Sequence, residues 1–301
     1  MKERKIISFD WAMKRLLRNK ANFEVLEGFL SELLRRKIII KNIGESEGNK
    51  TRKDDKTNRV DMLVEADGSE LVIIELQYDS VDEYFQRMLY GASKSITEHI
   101  SAGDTYDKVR KVYSVNIVYF DLGVGDDYVY HGVTEFKGLH TQSELHLSRD
   151  QQQLYNKSAI GELYPEYYII KVNGFDDVAK DTLDEWIYYL KNNRIDDDFT
   201  AQGLSKAREI WAVDRLTDEE RAQYERDMDN KVMSDAAIRT AIRKGKNEGK
   251  EEGLEEGKIM GEAIGLEKGE AERIRLENEL KEAKARIAEM ERKKKNKRKK
   301  P

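Results

Sequence analysis

A chain of 301 residues with 39% hydrophobic content can bury one substantial core with room for a further module, which predicts one or two domains. Charged residues make up 38%, against ~25% in an average domain, so part of the chain is expected to lie outside any core. With no cysteine, disulfides and thiolate metal sites are excluded, and no segment approaches the ~20 apolar residues of a membrane span or the apolar run of a signal peptide. These features predict a cytoplasmic protein with no membrane partner. The formal charge of −5 divides unevenly, into +8 on the last ten residues, "RKKKNKRKKP", and −13 on the 291 before them.

From Asp10 to about Arg36 the apolar residues, among them Trp11, Met13, Leu17, Phe23, Leu26, Phe29, Leu30 and Leu33, recur at spacings of three and four, broken near Asn19. Two amphipathic helices are expected there. "KIIIKNI" then reads as a strand and "GESEGNKTRKDDKTN" as a polar loop. A hairpin over residues 58–77 follows, and after it a helix, "VDEYFQRMLYGASKSITEHI". "KVYSVNIVYF", "DYVYHGVTEF", "ELHLS" and "EYYIIKV" are further strand candidates, and "TLDEWIYYLKNN" returns to helical spacing. A mixed sheet with flanking helices, an α/β or α+β domain, accounts for residues 1–200.

From Leu204 the strands stop. Residues 201–243 are helical in composition, with Thr217 and Glu220 placed to form a capping box. Residues 244–291 form a further helical extension, in which glycine falls at every fourth position from Gly245 to Gly269. Four-residue steps advance about 400° around a helix, so these glycines spiral rather than share a face. Each costs ~1 kcal/mol relative to alanine, which predicts a conditional helix ordered mainly by a partner. Leu276, Leu280, Ala283, Ile287 and Met290 then alternate steps of four and three; that short heptad seam suits either a surface helix or a coiled-coil homodimer. Residues 292–301 read as a disordered basic end. Lys293, Lys294, Lys295, Lys297, Arg298, Lys299 and Lys300 are either simply solvated or a phosphate-binding arm.

The chemistry is concentrated in the hairpin "NRVDMLVEADGSELVIIELQ". Glu75 and Gln77 stand two apart on a strand and share a face, with Ile74 and Leu76 on the other. Whether Asp61 joins them depends on the turn. A two-residue loop at Asp67-Gly68 sets Asp61 opposite Ile74, whereas a three-residue loop or one bulge sets it opposite Glu75. Two carboxylates that meet there would not ionise easily without a cation between them. Oxygen ligands of that kind suit Mg²⁺ or Mn²⁺, which supply activated water for phosphodiester hydrolysis, with Gln77 placed to orient it. A polar strand face turned to solvent is the alternative.

"NRVD", separated by thirteen residues from "ELQ", resembles the core motif of the PD-(D/E)XK nuclease superfamily in an Asp…Glu-x-Gln variant. With "SFDWAMKRLL", "RMLYGASK", "LDEWIYYLKN" and "REIWAVDRLTDEERAQYE" in the same order, the chain resembles the PD-(D/E)XK nuclease family transposases, also called recombination-promoting nucleases. The resemblance implies a restriction-endonuclease-like core with a mixed central sheet between helices, followed here by a helical C-terminal extension, and Mg²⁺- or Mn²⁺-dependent cleavage of DNA. Asp61, Glu75 and the backbone carbonyl of Leu76 are then the implied metal ligands. Gln77 replaces the more usual lysine, and its amide can position and hydrogen-bond but carries no charge. Asp10 and Lys14 match an N-terminal D-x-x-x-K position near the metal site; a helix N-cap with an i,i+4 ion pair explains them equally. Arg87 and Tyr90, on one face of the helix after the hairpin, suit contacts to phosphate and equally suit packing and surface positions.

Other chemistries find no support. His99, His131, His140 and His146 lack zinc-like spacing, Gly123 and Gly125 lack the rest of a dinucleotide or P-loop pattern, and no Gly-x-Ser-x-Gly element occurs. The expectation is therefore a transposase- or recombination-associated DNA endonuclease, nucleoid-associated when bound to DNA and acting as a homodimer or helix-mediated homo-oligomer. The alternative is an inactive nuclease-like fold serving as a DNA-binding or assembly module.

Overall fold

The computed structural model describes residues 6–15, 17, 20–44 and 61–297, leaving aside the side chains of 67, 235 and 292–297. Most of the expected polar loop, and Arg298, Lys299 and Lys300 of the tail, lie outside the described residues, as do the side chains of Lys293, Lys294, Lys295 and Lys297. Two compact units divide the chain, Met1–Tyr224 and Glu225–Pro301.

The first unit is built on the expected mixed sheet. Six strands run β1 (Ile40–Gly44), β2 (Met62–Ala66), β3 (Leu71–Gln77), β4 (Val112–Val118), β5 (Val129–Gly132) and β6 (Glu166–Lys171), in the spatial order β1-β2-β3-β4-β6-β5. β3, β4 and β6 are parallel and form the centre; β1, β2 and β5 pair antiparallel outside them. β4 is buried at every position, as a central parallel strand covered on both faces should be.

Strand alternation sorts the core into two layers. Met62, Val64, Val72, Ile74 and Leu76 face a large cluster shared with α1 (Phe9–Arg15), α2 (Phe23–Leu34), α5 (Thr182–Asn192) and α6 (Leu204–Ile210). Leu71, Ile73 and Val112 face the other way, toward Ala92 of α3 (Tyr84–Glu98). Edge-to-face contacts of Phe9 with Phe29, Trp186, Tyr189 and Trp211 fill the larger layer. The Tyr189 hydroxyl donates to the Ile7 carbonyl at 2.8 Å, and the Ile7 amide donates to Trp211 O at 2.9 Å, tying α1 to the end of α6.

Helix α2 meets the segment before α6 at two glycines. A Cβ on Gly28 would be driven into the Gln202 carbonyl, and one on Gly203, whose φ is +86°, would lie 2.9 Å from Val25 O. The same Gln202 carbonyl accepts a hydrogen bond from Trp186 Nε1, so it cannot readily move aside.

Two expectations need revision. "ELHLS", residues 144–148, is no strand: Glu144 makes a single bridge with Lys137, and Ser148 serves instead as the N-cap of a seven-residue helix, α4 (Arg149–Tyr155), with a capping box to Gln151. The Leu145/Leu147 alternation lacks a partner strand, and only Leu147 is buried. Asp10 is also no N-cap. α1 begins at Phe9, and the Ser8 hydroxyl accepts from Trp11 N, so Asp10 sits within the first turn.

The capping box at Thr217 and Glu220 is present, with Thr217 N donating to Glu220 Oε2 at 2.9 Å and Glu220 N to Thr217 Oγ1 at 3.2 Å. It opens α7 (Asp218–Lys297), which contains the whole glycine repeat. Around Gly245, Gly249, Gly253, Gly257, Gly261, Gly265 and Gly269 an added Cβ would meet open space. Leu276, Leu280, Ile287 and Met290 are exposed in the single chain. Among the described residues no helix is long and apolar enough to cross a membrane.

Candidate active site

The turn between β2 and β3 decides what the hairpin presents. Asp67–Ser69 form a three-residue loop closed by Ala66 N donating to Glu70 O at 2.9 Å, with positive φ at Gly68 (75°) and Ser69 (62°). Of the two registers the sequence allows, this is the one that pairs Met62 with Ile74. Continued by one residue, it sets Asp61 opposite Glu75.

Asp61 lies in a bend just ahead of β2, where the ladder has run out, and its Oδ2 accepts from Leu76 N at 2.8 Å. That bond fixes the carboxylate against the end of β3 with its second oxygen uncommitted to the strand. In a strand the N–H and C=O of one residue point to the same side, so the Leu76 carbonyl is directed to the same edge. Glu75, on the α3 face, is buried between sheet and helix. Its Oε2 makes no directed hydrogen bond and meets Arg87 Nε of α3 at 3.3 Å as a charge contact.

Both acids are held away from easy ionisation. Burial pushes Glu75 up to about 7, with the Asp61 charge adding to the shift and Arg87 opposing it. Asp61 is likewise raised by burial, against the Leu76 amide and the charge of Lys14, while Asp10 adds to the shift. Lys14 and Asp10 thus lie within electrostatic reach of Asp61, themselves joined at 2.8 Å as the i,i+4 pair. Gln77 is half-buried at the end of β3, on the face of Glu75, and its carbonyl accepts from Tyr119 N. Tyr90, three residues beyond Arg87, is exposed.

Two residues at this site escape sequence reasoning. Asn116 of β4 is fully buried beside Glu75 in the parallel register, and it accepts a hydrogen bond from the Tyr84 hydroxyl at 3.3 Å. Burial raises the Tyr84 phenol, and the charge of Glu75 raises it further. An amide in a largely apolar strand, and a tyrosine one helical turn before Arg87, were the available signals; the pairing of β3 with β4 was not.

As a donor set, two carboxylates and a strand carbonyl suit a hard divalent cation. Glu75 Oε2, buried without a directed hydrogen bond, is the specific observation that fits one. No group of three or more histidine or acidic side chains converges among the described residues, so substrate or solvent would complete the coordination.

The family model for the PD-(D/E)XK nuclease family transposase matches residues 7–241. No curated protein and no solved structure matches the chain. A mixed six-stranded sheet flanked by helices and followed by a long helix is consistent with the restriction-endonuclease-like fold of that family. The matched span covers the six described strands, both carboxylates and the helix facing them, and the chain belongs to the PD-(D/E)XK nuclease family transposases.

Proposed function

We propose that this nuclease-family chain is a divalent-metal-dependent DNA endonuclease in which Asp61, Glu75 and the Leu76 carbonyl hold Mg²⁺ or Mn²⁺. The observation that carries the reading is the three-residue turn, which sets Asp61 opposite a buried Glu75 whose carboxyl is pushed up to about 7. A carboxylate so reluctant to ionise alone is stabilised as an anion by a cation.

A bound divalent ion supplies Lewis-acid polarisation of the scissile phosphate and of the attacking water. The chain's own residues do the rest. Asp61 is oriented by the Leu76 amide. Gln77 positions a nucleophilic water by hydrogen bonding, without the positive charge a lysine would bring. Lys14, tied to Asp10, adds positive potential beside Asp61. Arg87 and exposed Tyr90 contact the phosphate backbone, and the basic end, Lys293 to Lys300, captures the duplex nonspecifically. Homodimers joined through the seam of α7 would bring two sites to the two strands of a duplex.

Purified protein incubated with plasmid and Mg²⁺ or Mn²⁺ is expected to nick or linearise it. Asp61→Ala should reduce cleavage by ~10²-fold or more, since loss of even a hydrogen-bond partner of a metal ligand typically costs ~10–100-fold. Cleavage that survives this change would remove Asp61 from the site. The uncharged Gln77 also motivates the reading of an inactive DNA-binding module, which predicts duplex binding with no cleavage under either metal.

A further inference from the structure

Arg87 lies where the positive charge of a cation is expected. Its Nε is 3.3 Å from Glu75 Oε2, and its charge opposes the upward shift of both Glu75 and Asp61. Two like charges on one side of the same carboxylate oxygen repel strongly in a site this buried. Glu75 Oε2 therefore cannot keep the guanidinium at this distance and coordinate a divalent ion as well. About a third of the Arg87 side chain remains exposed, on the same helix as exposed Tyr90, so it has an outward path to solvent or to a phosphate.

Building on the metal-binding reading above, we infer that Arg87 is the resident counter-ion of Glu75, and that cation entry requires it to turn outward onto the DNA backbone. It is a positioning residue that holds the site closed without substrate. A phosphate that takes up Arg87 vacates Glu75, and by linkage a cation on Glu75 makes Arg87 available to phosphate. Metal and DNA then bind cooperatively, and each alone binds weakly.

Mn²⁺ titration of the full chain without DNA, followed by electron paramagnetic resonance, tests this. Arg87→Met and Arg87→Gln should each bind Mn²⁺ on the order of tenfold more tightly than the unmodified protein. Lys94→Met removes a charge from the same helix, where Lys94 pairs with Glu98, and should shift affinity by no more than about twofold. Circular dichroism in chelator checks that each form is folded, and the two Arg87 variants guard against one failing. A merely structural role for Arg87 would loosen Mn²⁺ instead. Saturable Mn²⁺ binding that neither Arg87 variant tightens overturns the counter-ion inference alone; no saturable binding in any form overturns the metal reading and this inference with it.

Discussion

Glu75 governs how the metal-free protein responds to pH. Its folded-state carboxyl, near 7, lies above the ordinary 4.5, so the folded state holds the proton more tightly than the unfolded chain. The associated stability is fully present below pH 4.5 and is lost as pH rises through about 7. Glu75→Gln cannot titrate. In chelator, its stability relative to the unmodified protein should rise by about 2 kcal/mol between pH 5.5 and pH 8, measured by urea unfolding. A difference that stays flat across that window would mean Glu75 is not held in the environment described. Asn116 and Tyr84 belong to the same environment. Removing the Tyr84 hydroxyl leaves the buried Asn116 carbonyl oxygen short of a donor, at a cost of about 1–3 kcal/mol.

Among the elements, the crossing of α2 with the segment before α6 is a close backbone approach. Gly28→Ala forces a methyl group against the Gln202 carbonyl, and a loss of about 1–3 kcal/mol in thermal or urea unfolding is expected. The glycines of α7 should behave oppositely, because a Cβ there meets open space. Gly253→Ala with Gly257→Ala should raise helicity by circular dichroism, each worth up to ~1 kcal/mol. These elements also mark where the sequence was legible. Periodicity and turn signals located both N-terminal helices, α3, α5 and the six described strands within a few residues, since most of them bury one face or both. It misread 144–148, because alternation at Leu145 and Leu147 records side-chain pattern and not the presence of a pairing strand. The hairpin chemistry was readable up to the turn. Loop length depended on whether Ser69, besides Gly68, would adopt positive φ, which its residue type does not dictate, and with it went the choice of partner for Asp61. Arg87 was visible as a basic residue near the site, but its contact with Glu75 depends on how α3 packs on the sheet.

At the scale of the whole molecule, the division of charge between an acidic chain and a basic end should show in salt dependence. Deleting residues 292–301 is expected to flatten the slope of log affinity for duplex DNA against log salt, each lost phosphate contact removing about one unit of slope. An unchanged slope would take the tail out of DNA capture. The exposed seam of α7 carries a second expectation: Leu280→Asp with Ile287→Asp should shift sedimentation toward monomer, while a monomeric starting protein would leave the seam without a pairing role. The proposed cleavage depends on a cation between Asp61 and Glu75, and anomalous diffraction from crystals grown with Mn²⁺ addresses that most directly. A peak within about 2.0–2.4 Å of oxygens from both carboxylates is the predicted result; a well-ordered site with no peak there, or with Mn²⁺ bound only elsewhere, would contradict it.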